Sequence, residues 1–121
     1  MLPKKIFKQK IDEIKERDKL ANKYDDFFER EYSQLLDYYC IDKHNEIKNR
    51  EWVLDLACGT GRTSIKLASI SNQDISIDFS YNSLFLLNDK INKNKINNIY
   101  LIQADANSLP FNCSNFFDFI N

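Results

Sequence analysis

Glycine is almost missing from this sequence: of 121 residues only Gly59 and Gly61 are glycine, and they sit two positions apart. The backbone freedom and close ligand approach that only glycine permits are therefore concentrated in one short stretch. Cysteine is scarce too. Cys40, Cys58 and Cys113 are odd in number, far apart and without metal-ligand spacing, which fits a reduced compartment better than a disulfide framework, with the cytoplasm as the expected location. One histidine, His44, stands in a polar stretch with no recognisable partner and reads as a surface residue. An excess of charge is also lacking. Seventeen Lys plus Arg nearly cancel eighteen Asp plus Glu, so no global field draws the chain to nucleic acid or to an anionic membrane. The basic start of residues 1–10 leads into Asp12, Glu13 and Glu16 rather than an apolar run, so neither a signal peptide nor a membrane span begins there, and a soluble protein is expected.

What is present suffices for a core. Hydrophobic residues make up 43% of the chain, with nine Phe and six Tyr, too much apolar material for a disordered segment. The length allows one domain or part of one. The abundance of Asn, Lys and Ile reads as a bias toward AT-rich codons.

Two regions of different character follow one another. Over residues 4–40 apolar positions recur at helical spacing, first Phe7, Ile11 and Ile14, then Leu20, Tyr24, Phe27, Phe28, Leu35 and Leu36, which predicts one or two amphipathic helices in an N-terminal segment of residues 1–46. A polar connection over residues 42–50 leads into a second region, residues 50–121. There, short apolar runs at 52–56, 74–78, 99–103 and 116–120 read as strands, with a helix over 62–70. Ser80 is placed to cap another helix with Leu84, Leu87 and Ile91 on one face. Strands alternating with helices predict an α/β fold with a doubly wound parallel sheet, of which the chain supplies the first four strands. The last of these, rich in Phe, reads as a buried strand without further neighbours, so a truncated sheet is expected.

In such folds ligands bind at the carboxyl ends of the strands. The first strand ends in Asp55-Leu-Ala-Cys-Gly59-Thr-Gly61, a turn that could serve a dinucleotide. The dinucleotide fingerprint wants a small third residue where Ser64 stands, a marginal fit. Asp55 is the stronger objection, because a carboxylate beside the turn repels a pyrophosphate and favours a ligand bearing an ammonium and a sulfonium.

Val53-Leu-Asp-Leu-Ala-Cys-Gly-Thr-Gly61 resembles motif I of the class I S-adenosylmethionine-dependent methyltransferases, which have a Rossmann-like fold. Three later segments resemble the same family in order and spacing. Asp78, closing the second strand, matches the acid that accepts hydrogen bonds from the two ribose hydroxyls. Gln103-Ala-Asp105-Ala106, closing the third, matches the motif whose Asp meets the adenine amine while an adjacent amide, that of Ala106, meets N1. Leu109-Pro-Phe111 and Phe117-Asp-Phe119 match the approach to the fourth strand. Ala57 replaces a glycine often found in motif I, and Ser76 another before the ribose acid. The resemblance implies S-adenosyl-L-methionine as cofactor and a small-molecule methyl acceptor. It also implies a cofactor-binding set of Asp55, Ala57, Cys58, Gly59, Gly61, Asp78, Phe79, Asp105 and Ala106, joined by Tyr24 of the N-terminal helix. Asp55 is expected to order the loop rather than to touch the methyl group.

Several of these residues have plainer readings. Asp78 could cap a helix, Asp105 could form an Asx-turn, and Tyr24 suits a core aromatic on an apolar helix face. Cys58 reads as structural, since methyl transfer from a sulfonium needs no protein nucleophile. Residues 4–10 read as a solvated basic helix face. At the level of function, two alternatives stand beside the methyltransferase: an aminopropyltransferase on the same kind of sheet, and a non-catalytic cofactor-binding or interaction module.

Overall fold

A computed structural model describes residues 4–28, 50–112 and 115–121. The expected connection over 42–49, together with Leu35, Leu36, Cys40, His44 and Cys113, lies outside the described residues. The elements are α1 (Lys4–Phe28), β1 (Arg50–Leu56), α2 (Arg62–Ala68), β2 (Ser71–Asp78), α3 (Tyr81–Asn94), β3 (Ile99–Gln103) and β4 (Phe119–Ile120). The four strands form one parallel sheet in the order β3-β2-β1-β4. Among the described residues no helix is long and apolar enough to cross a membrane.

Register decides which side chains share a face. Val53 pairs with Asp74, which pairs with Ile99, so these three project from the same side of the sheet. Both helices cover that side. Val53 packs with Leu67 of α2, and Ile99 packs with Ala68, Leu84, Leu87 and Ile91. Leu54, Leu67, Ile77 and Leu87 are almost or wholly without exposure, and each such burial is worth roughly 1.5–3 kcal/mol. The hydroxyl of Ser80 accepts the Ser83 amide and starts α3. The helix ends where Lys95 turns left-handed and Ile96 donates back to the Ile91 carbonyl, laying Ile96 on the core.

Three strands differ from the sequence expectation. β1 begins two residues early, at Arg50. β2 begins at Ser71, three residues early, because the pairing of Ser71 with Arg50 and Gln73 with Trp52 carries poor strand formers into the ladder. β4 is only two residues long and half-exposed at Ile120, so it is not the buried strand that its Phe content suggested. Its first part is a turn, with Asn115 left-handed at φ 61°. There the Asp118 carboxylate accepts the amides of Glu51 and Trp52, at 2.9 and 3.0 Å, while its own amide donates to the Trp52 carbonyl at 2.9 Å. Phe116 meanwhile packs its ring 5.1 Å from that of Trp52.

Candidate cofactor site

The turn after β1 is built from left-handed residues. Ala57, Gly59 and Gly61 have φ of 56°, 56° and 83°. Gly61 is required sterically as well, since a Cβ there would stand 2.0 Å from Cδ1 of the buried Leu87. A Cβ on Gly59 would meet nothing within 4 Å, so at that point the loop faces open space. Ala57 holds a conformation that costs an L-residue about 1 kcal/mol, which explains in this chain why glycine suits the position. The Gly61 amide closes on the Cys58 carbonyl at 3.0 Å, and Lys90 of α3 donates to the Thr60 carbonyl at 2.9 Å.

Asp78 ends β2 directly beside this turn and is 7% exposed. One carboxylate oxygen accepts the Gly59 amide and the other the Ser80 amide, each at 2.8 Å. The residue thus ties the glycine turn to the start of α3, while the capping hydroxyl is that of Ser80. A carboxylate offers about four acceptor positions, so two remain for a ligand. Asp78, Ala57, Gly59, Phe79, Ser80 and Ser83 line a cavity of about 240 Å³, closed on the other side by Arg17, Leu20 and Ala21 of α1.

Asp55 is caged. Ser64 donates to one oxygen at 2.7 Å and the Asn121 side-chain amide to the other at 2.8 Å. Burial pushes its carboxyl above the usual range, against the pull of those two hydrogen bonds. It lines neither cavity, and its contacts tie the end of β1 to the first turn of α2 and to Asn121. Cys58 turns its side chain into the core with Leu84 and Leu87, and burial, reinforced by the charges of Asp55, Asp78 and Asp74, raises its thiol pKa well beyond the usual value. A thiol in that state is not a nucleophile.

Asp105 forms the turn of its plainer reading and an ion pair besides. Its Oδ1 accepts the Asn107 amide at 2.9 Å and the Asn107 side chain at 3.1 Å, an Asx-turn, while Oδ2 takes an ion pair from Lys10 of α1. Lys10 above all, with Asn107, holds the carboxyl below the usual range. A second cavity, of about 470 Å³, is lined by Phe79, Gln103, Ala104, Asp105 and Asn107 on the sheet side and by Lys10, Glu13 and Ile14 of α1. Phe79 is shared by the two cavities, and Gln103 fixes its backbone by donating to the Phe79 carbonyl at 3.0 Å. Ala106 is exposed, between the lining residues Asp105 and Asn107. Tyr24 lies on α1, with its side chain outside the described part.

The solvated basic face expected of residues 4–10 does not hold at Lys10, which is drawn to Asp105 in the cavity wall. In the structure, Asp18 accepts from the Ser80 hydroxyl and, at 3.3 Å, from the Asn82 amide. Lys10, Ile14, Asp18 and Ala21 recur at helical spacing, so the face turned to the sheet carries charges as well as apolar side chains. A search for hydrophobic periodicity passes over such residues. Among the described residues no group of His, Cys, Asp or Glu is arranged to hold a metal ion.

Comparison with known proteins matches the geometry. The sequence pattern of the methyltransferase domain covers residues 53–121, which contain every strand-end residue of the cavities. The chain belongs to the methyltransferase domain family. An uncharacterized protein of Methanocaldococcus jannaschii is 35% identical over 99 residues, covering 82% of this chain and 35% of that protein. The demethylmenaquinone methyltransferase of Staphylococcus carnosus is 38% identical over 83 residues, 66% of this chain and 33% of the enzyme. The chain therefore spans about a third of the length of the curated relatives it matches. In fold, the YcgJ protein of Bacillus subtilis superposes with a TM-score of 0.63 at 24% identity, over 69% of this chain and 36% of that one. A SAM-dependent methyltransferase of Aquifex aeolicus gives 0.59 at 22% identity, over 69% and 45%. The methyltransferase domain of this chain is thus a parallel, Rossmann-like sheet with its glycine turn, Asp78 and Asp105 at one end.

Proposed function

We propose that this methyltransferase domain binds S-adenosylmethionine along the carboxyl ends of β1, β2 and β3 and forms the cofactor-binding part of an enzyme that methylates a small molecule. The observation that carries the reading is Asp78, a buried carboxylate with acceptor capacity to spare, in the wall of a cavity beside a glycine turn whose face is open. A cis-diol presents two donors to such a group. Asp105 and Phe79, in the wall of the second cavity, suit an adenine, the first as acceptor for its amine and the second as an apolar surface. The methionine end would then lie along the backbone of residues 57–61, where the open face of Gly59 admits close approach.

When bound, the cofactor supplies a methyl group on a positively charged sulfur. The part of the chain is to bind and orient. Asp55 holds the turn through Ser64 and Asn121, and the nearby carboxylates favour a cationic ligand over an anionic one. Positioning of this kind supplies much of the acceleration of a displacement with a good leaving group. A small-molecule acceptor is supported by the demethylmenaquinone methyltransferases among the relatives.

Isothermal titration of the 121-residue chain with S-adenosylmethionine and with NAD tests the proposal. Binding of the first and not the second is expected, with at least a tenfold loss in Asp78→Ala, the scale of a charge-assisted hydrogen bond removed. Equal affinity in the variant would remove Asp78 from the ribose site.

A further inference from the structure

We infer that Lys10 is a built-in competitor for the adenine subsite, so that α1 latches the free protein and cofactor entry proceeds by exchange at Asp105. The inference rests on the cofactor reading above. Three observations on separate parts of the molecule carry it. First, the Lys10 ammonium is paired with Oδ2 of Asp105, while Oδ1 already accepts two hydrogen bonds from Asn107. Of the two oxygens, Oδ2 is therefore the one with capacity to accept from an exocyclic amine, and the lysine stands on it. Secondly, Lys10 and Asp105 line the same cavity of about 470 Å³, so the ammonium occupies the space in which a donor to Asp105 would be placed. Thirdly, α1 is fastened independently at a point two turns further on, where Asp18 accepts from Ser80 and Asn82. Releasing Lys10 therefore need not detach the helix.

The chemistry of the pair makes exchange feasible. Both side chains are about one-third exposed, 38% for Lys10 and 32% for Asp105, so water and salt screen the pair and replace its contacts on opening. A buried pair would be a permanent strut; this one is weak enough to yield to a ligand that also gains contacts along Asp78 and Phe79. Glu13, in the same cavity wall, offers the displaced ammonium a second carboxylate on the neighbouring turn of α1.

The test is a titration of the full chain with S-adenosylhomocysteine, which lacks the sulfonium charge and so leaves protein charge as the main source of a salt effect. Wild type, Lys10→Met and Lys10→Arg are compared at about 50 mM and about 500 mM NaCl. Removing the competitor is expected to tighten binding about fivefold at low salt in Lys10→Met, the factor corresponding to an exposed ion pair near the upper end of its usual range. Wild type and Lys10→Arg should bind more tightly at the higher salt, and Lys10→Met should not respond. Weaker or unchanged binding in Lys10→Met, with its circular dichroism as in wild type, overturns the inference and makes Lys10 a helper or a bystander. The cofactor reading fails separately, through absence of binding in all three proteins or unchanged binding in Asp78→Ala.

Discussion

The two carboxylates at the ends of β2 and β3 have the same sequence context, an Asp closing an apolar strand, and different physical situations. Asp78 is 7% exposed and accepts two backbone amides, those of Gly59 and Ser80, so the loop and the helix start both depend on it. Asp105 is about one-third exposed at its side chain and is held by side chains and by its own turn. One is part of the fold and the other is a replaceable contact on it. The difference divides the cleft into a rigid end, made of β1, β2 and the glycine turn, and an exchangeable end, made of β3 and α1. A ligand spanning both would find a preformed seat at the first and a competitor at the second.

The rigid end is most sharply challenged at its glycines. Gly61→Ala places a Cβ 2.0 Å from the fully buried Leu87 at a left-handed φ, and is expected to cost about 3 kcal/mol or more of stability in urea unfolding. Gly59→Ala meets nothing, so only its backbone conformation counts, and about 1 kcal/mol is expected. Equal unfolding of the two variants would mean that the approach to Leu87 costs the fold nothing. A second challenge comes from Asp74, which lies in the middle of β2 with no exposure, one oxygen held by Ser76 and the other unpartnered. Burial pushes its carboxyl up to about 7. The folded chain then keeps a proton that the unfolded chain releases near pH 4, so the stabilisation is complete below that pH and is lost as pH rises through about 7. Between about pH 5 and pH 8 wild type should lose on the order of 2 kcal/mol relative to Asp74→Asn, which stays neutral throughout. A constant difference across that range would place the ionised form of Asp74 in the folded protein.

How much of this could be read from the sequence depended on whether the cause was local. β3 falls where its apolar run lies, and α3 starts where Ser80 caps it, because both signals are written within a few residues. The glycine turn and the two strand-end acids were legible for the same reason. The length of β2 was not, since its first residues are strand only by virtue of their partners in β1. Neither was the shortness of β4, where the Asp118 side chain reaches back to accept the amides of Glu51 and Trp52. The partners of the acids were the least visible part. Asn121 reaches Asp55 across 66 residues and Lys10 reaches Asp105 across 95, and charged side chains on an amphipathic helix look alike whether they face water or a neighbour. The burial of Asp74 was equally hidden, because an Asp within an alternating strand reads as a residue on the wet face until the helices are placed.

The smallest effect carries the comparison furthest. Asp78→Asn keeps the size of the side chain but turns an amide NH2, itself a donor, toward one of two backbone donors, leaving the Gly59 or the Ser80 amide without its acceptor, and about 2 kcal/mol of stability should be lost. Asp105→Asn makes the same chemical change where water replaces what is removed, and its effect on stability should stay within about 0.5 kcal/mol. Both should weaken the binding of S-adenosylmethionine, since an amide offers one acceptor oxygen where a carboxylate offers two. Thermal unfolding and titration on the same two variants therefore separate the roles: a loss in both measurements for Asp78, and in binding alone for Asp105. Equal destabilisation by the two substitutions would mean that the β3 end is built into the fold as firmly as the β2 end, and that Lys10 is a fixed part of the cleft wall rather than a contact that a ligand displaces.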